Sequence, residues 1–184
     1  GATRTKTWLT EHERDAKLRV EFAVSAVQTA QWCKRRAPEL AACEYWLALD
    51  VGLQAREVRL TADDGLKTLV PALRFAIDKD PLYEEAGPHR IMALVLLRAP
   101  AWPLGPGDVE AGLEHAKQAV ALRPDYPPNQ FALAEALAAN KNREGAREAY
   151  IHGKALADAR RDARDPDAPF WIVEADEALA KLRP

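Results

Sequence analysis

The apolar positions of this chain fall into runs with a helical period, separated by short polar breaks. From Glu13 to Arg36, the residues Leu18, Phe22, Ser25, Ala26, Thr29, Ala30 and Cys33 line one face, which predicts a single long helix over 13–36. Ala42 to Glu57, carrying Leu47, Ala48 and Val51, predicts the first helix of a hairpin. Asp63 to Lys79 predicts its partner, broken or kinked at Pro71, so the hairpin covers 42–79. Two further hairpins are expected over 88–123 and 127–157, with Asp108 as an N-cap between the helices of the former. A last helix over 169–182 follows the turn Asp165-Pro166-Asp167-Ala168-Pro169, and Pro169 suits a first helical turn. The pattern predicts an all-α chain of about eight helices, with no sheet, forming one domain over 1–184.

The breaks recur. Pro38, Pro81 and Pro124 stand 43 residues apart, each just past a helical run that proline cannot continue. A tighter period lies near the end, where Gly112, Ala116 and Ala119 are followed 34 residues later by Ala146, Tyr150 and Gly153. Between them stands Gln130-x2-Leu133-Ala134-x2-Leu137. This series resembles the tetratricopeptide repeat, with Ala134 for its small glycine, Leu137 for its tyrosine, Tyr150 for its phenylalanine and Gln130 for its tryptophan. The resemblance implies antiparallel helical hairpins stacked in a right-handed solenoid, and Phe170 to Leu182 would cap the last repeat. A period of 43 also suits the longer HEAT type of hairpin; the gap-free stretch over 107–157 favours the tetratricopeptide form.

Composition narrows the function. The net charge of −2 leaves no positive field to gather phosphates, which argues against a nucleic-acid binder. No apolar run reaches the roughly 20 residues of a membrane span, and no signal-peptide pattern is present. The histidines His12, His89, His115 and His152 form no metal-binding motif, and His115 and His152 are expected at the surface. No phosphate loop, nucleophile elbow or dinucleotide fingerprint occurs, so neither catalysis, a metal nor a cofactor is expected. Cys33 and Cys43 lie five residues on either side of Pro38. A hairpin turn there would bring them level, either as a disulfide, which implies an oxidising compartment, or as two buried thiols.

In stacked hairpins the first helices line the concave side. Setting them in register places Tyr45 and Leu49, then Arg90, Leu94 and Arg98, then Phe131 and Glu135 on that side. This predicts a mixed apolar and cationic groove, in which Arg90 and Arg98 could hold a carboxylate or phosphate. Trp102 is held between Pro100 and Pro103, which makes it either a preformed projection for binding or a plug beneath its own loop.

A second resemblance rests on longer runs: Ala86-Gly87-Pro88-His89-Arg90, Arg98-Ala99-Pro100-Ala101-Trp102-Pro103, Gly107-Asp108, Pro124-Asp125-Tyr126-Pro127-x-Asn129 and Ala134-Glu135-Ala136-Leu137. These are similar to bacterial tetratricopeptide proteins such as the TatT-type lipoproteins associated with TRAP transporters, over roughly residues 40–157. That resemblance implies a periplasmic, lipid-anchored, oligomeric protein that partners a solute-binding protein and takes up a hydrophobic ligand. Two functions are therefore expected in turn. One is a non-catalytic adaptor that binds a segment of a partner protein, in the cytoplasm or periplasm. The other is a transporter-associated accessory subunit.

Overall fold

The structure is a computed structural model and describes residues 2–182. Among these residues it is all-α, with nine α-helices that pack mainly on their neighbours in sequence. They are α1 (Ala2–His12), α2 (Ala16–Arg36), α3 (Ala41–Glu57), α4 (Ala62–Lys79), α5 (Tyr83–Arg98), α6 (Val109–Leu122), α7 (Pro127–Ala139), α8 (Arg143–Asp162) and α9 (Ala168–Lys181). A turn of 3-10 helix, Arg59–Thr61, joins α3 to α4. No helix among the described residues is long and apolar enough to cross a membrane. The chain divides after Tyr83 into two compact units.

In the first unit α2 packs on α3, α3 on α4, and α1 on both α2 and α3. The core is built from small and aliphatic side chains: Ala23, Ala26 and Ala30 of α2, Leu47, Ala48 and Val51 of α3, and Leu69, Leu73 and Ala76 of α4. Their spacing of three, four and seven is the stripe that makes a helix stick to a neighbour. α4 continues through Pro71 as one helix, so of the break or kink expected there the break does not occur.

The expected helix over 13–36 begins later, and a separate helix precedes it. Asp15 caps α2, accepting from the N–H groups of Lys17 and Leu18 at 2.8 and 3.2 Å. α1 escapes the hydrophobic reading because the residues it buries are Thr7 and Thr10, not leucines. Cys33 of α2 and Cys43 of α3 are joined by a disulfide, with their Cα atoms 5.4 Å apart.

In the second unit, Ala93, Ala116 and Ala136 are fully buried, with Leu97, Leu113 and Leu133 packed around them. These alanines let the backbones of α5, α6 and α7 approach, and the leucines fill the flanks. Gly112 does the same: a Cβ there would lie 3.0 Å from the Leu97 side chain. Asp108 caps α6 through Ala111 N–H at 3.0 Å, as its position predicts. α8 packs on α7 and α9, and α9 also reaches α7.

Candidate functional site

The second unit begins in an unusual way. Glu84, Glu85 and Ala86 all have φ between 45 and 62°, one turn of left-handed helix before the right-handed body of α5. Each such non-glycine residue costs on the order of 1–2 kcal/mol, so the surroundings must hold the turn. Arg90 and Asn129 do so.

Arg90 lies one helical turn beyond this left-handed segment, and its Nη1 donates to the carbonyls of Glu84 at 3.4 Å and Glu85 at 3.1 Å. Nη1 also donates to Asn129 Oδ1 at 2.9 Å. Asn129, fully buried near the start of α7, turns its Nδ2 towards the carbonyls of Glu85, Ala119 and Arg123 at 3.0–3.2 Å. One amide thereby ties the left-handed turn to the end of α6. Tyr126 lies beneath the Arg90 guanidinium, 5.0 Å from the ring centre, and Arg160 of α8 approaches the same ring at 5.2 Å. Burial pushes the Tyr126 hydroxyl above its ordinary range, so the ring stays neutral between two cations.

The proposed groove residues divide by what they touch. Arg90 is only 8% exposed and is engaged with its own chain. Phe131 is buried against α8, 5.8 Å from Tyr150 between ring centres, in the space left by Gly153. Arg98 and Glu135 do meet: Nε donates to Oε1 at 2.7 Å and Nη2 to Oε2 at 2.6 Å, a bidentate pair on the surface. Leu94 is half-buried. Tyr45 and Leu49 belong to the first unit, where Tyr45 is buried edge-on against Trp46 and Tyr83 and Leu49 is half-buried.

Trp102 differs from all of these. It is 86% exposed and Leu104 is 82% exposed, so Trp102 does not plug its own loop. The loop that carries them, residues 99–108, is nevertheless fixed. Gly107 N–H donates to Pro100 carbonyl at 2.8 Å, and Asp108 N–H donates to Leu96 carbonyl at 2.9 Å. Leu104 and Gly105 N–H both donate to the Ala101 carbonyl. The loop closes so tightly that Gly107 admits no side chain; a Cβ there would lie 2.8 Å from both the carbonyl carbon and the oxygen of Pro100 and still closer to the Ala99 oxygen. The glycines at 105 and 107 thus shape the platform that holds Trp102 and Leu104 in water.

Sequence reasoning missed two further groupings. His115 is not a surface residue; it is half-buried, its Nδ1 3.0 Å from Nδ1 of His89. Burial, and then the neighbouring His115, hold His89 below the usual imidazole value. The second is Asp50, fully buried in α3 and bonded to Thr7. Its position three residues after Leu47 and seven after Cys43 puts it on the buried face, which is the signal that could have found it. Among the described residues, no cluster of three or more histidine, cysteine or carboxylate side chains could hold a metal ion.

No known family model matches this chain, and no curated protein matches it.

Proposed function

We propose that this chain is a non-catalytic, tetratricopeptide-type adaptor that engages a partner protein through the Trp102-Pro103-Leu104 projection of its second unit. The observation that carries this reading is the exposure of Trp102 and Leu104, 86% and 82%, on a hydrogen-bonded loop. Leaving a tryptophan in water forgoes its burial energy, and a fixed backbone loses little further freedom on binding. Tryptophan is also among the residues that dominate binding energy at protein interfaces. The Arg98–Glu135 pair stands on helices α5 and α7 of the same unit, and Arg98 is the last residue of α5 before the loop that carries Trp102.

The test places a photo-crosslinking amino acid at position 102 in cells of the native host, with position 152 on the exposed face of α8 as control. A discrete adduct at 102 that is lost when Leu104 is changed to Ser supports the adaptor. The same adducts at both positions, or none at 102, overturn it.

The Cys33–Cys43 disulfide favours a second reading. In it the chain is a transporter-associated accessory subunit of the TatT type, held in an oxidising compartment such as the periplasm, where it partners a solute-binding protein and takes a hydrophobic ligand. A thiol count on denatured, unreduced protein from the native host tests the compartment, and native mass spectrometry tests the ligand. Two free thiols and a ligand-free mass would remove this reading and leave the adaptor.

A further inference from the structure

α1 is held in an unusual way for a packed helix. The residues it buries fully are the hydroxylic Thr7 and Thr10, while Leu9 is half-buried and Trp8 is 42% exposed. Its fully buried positions are fastened by polar contacts. Lys6 Nζ donates to Ser25 Oγ and Thr29 Oγ1 of α2, both at 2.8 Å. Thr7 Oγ1 lies 2.6 Å from Asp50 Oδ1 of α3. Helical stability in proteins comes mostly from tertiary contacts, so these bonds contribute to keeping α1 docked.

The contact to Asp50 depends on a proton. Thr7 Oγ1 also lies 2.9 Å from the carbonyl of Thr3, and a hydroxyl has one hydrogen to give. When Asp50 is a neutral acid, it donates to Thr7 and Thr7 donates to Thr3; both contacts are then hydrogen bonds. When Asp50 is ionised, Thr7 can serve only one of the two oxygens. The other carboxylate oxygen, Oδ2, is buried without any hydrogen-bond partner, which is tolerable for a neutral acid and costly for a charge.

The surrounding charges do not compensate. Burial pushes Asp50 up to about 7; Thr7 opposes this, Glu11 of α1 adds to it and Lys6 opposes it. Glu11 and Lys6 are the charges that act on Asp50; on the other packed elements Arg19 and Lys34 of α2 pair with Glu57 and Glu44 of α3, and Lys67 of α4 with Asp64.

We propose that α1 is a proton-controlled strap, docked on α2 and α3 while Asp50 carries its proton and released when Asp50 gives it up. The sign follows from linkage. A carboxyl opened to water by release ionises at the ordinary carboxylate value, and the docked one only near 7. Docking therefore weakens as pH rises, by about tenfold per pH unit over the range between those two values, and levels off above the upper one.

Hydrogen exchange on the full chain, corrected for the intrinsic rate at each pH, reads this directly. Protection of the α1 amides should fall roughly hundredfold between pH 5 and pH 8, while the central amides of α3 keep theirs. Asp50→Asn should remove the pH dependence. Carbon-13 titration of the Asp50 carboxyl in the unaltered protein should give a midpoint near 7, and this holds even if the variant fails to fold. An ordinary carboxylate midpoint, α1 protection that ignores pH, or parallel loss in α1 and α3 would each overturn the strap.

Discussion

Gly153 of α8 and Phe131 of α7 occupy complementary places: a Cβ at 153 would lie 2.8 Å from Phe131 Cδ1 and 3.0 Å from Gln130 Cβ. The ring of Phe131 fills the space that the glycine leaves, and α7 and α8 close around it. Gly153→Ala should therefore destabilise the protein by about 1–3 kcal/mol, despite the better helix propensity of alanine. Ala93→Leu, at a fully buried contact in the same unit, should cost a similar amount. Urea unfolding of each variant checks this, and a midpoint equal to that of the parent would show that the helices can separate without loss.

The Arg90–Asn129 bond gives the second prediction. Asn129→Ala would strip partners from the Arg90 guanidinium and from the carbonyls that share Nδ2. The Glu85 and Ala119 carbonyls keep Arg90 Nη1 and Arg123 N–H, so the loss falls mainly on the Arg123 carbonyl and should come to about 1–3 kcal/mol. It should also lose hydrogen-exchange protection first in the turn at residues 84–86. Arg90→Lys should not rescue the turn, because a single ammonium cannot serve the carbonyls and Asn129 with the same planar fork.

The Cys33–Cys43 bridge closes a short loop between α2 and α3. Loop-closure entropy predicts that it contributes about 2–3 kcal/mol. Thermal unfolding with and without reductant should show the loss, and Cys33→Ala with Cys43→Ala should reproduce it. A reductant effect that persists in that double variant would mean that the bridge is not its cause.

His89 predicts a pH response of the opposite sign to that of Asp50. Burial and His115 lower its folded value below the ordinary 6.5. The folded state therefore resists a proton that the unfolded chain accepts, and stability falls as pH drops below 6.5 towards the lowered value. His89→Gln should flatten that acid limb. An imidazole titration by NMR should place His89 below 6.5, and a midpoint at or above it would contradict the buried pairing.

Local features were legible in the sequence because their physics is local. The capping role of Asp108, the helix ends at Pro38, Pro81 and Pro124, and the buried alanine at 134 follow from spacing and residue type. So does the nearness of Cys33 and Cys43 across a short turn. α1 was not legible, because the side chains it buries are hydroxylic and leave no apolar stripe. The candidate site was half legible. Trp102 was singled out by its prolines, but whether it faced water or its own loop depended on how residues 99–108 closed.

The sequence by itself determined the helices from α2 onward and the small-residue seams along which they meet, since both arise from periodicities within one segment. Only the tertiary structure decided the roles of the polar residues. Thr7 meets Asp50 across 43 positions, Arg90 meets Asn129 across 39, and His89 meets His115 across 26. A polar side chain in water and one in a core look alike in a sequence. What separates them is the partner supplied by another helix, and the loss of water that makes that partner necessary.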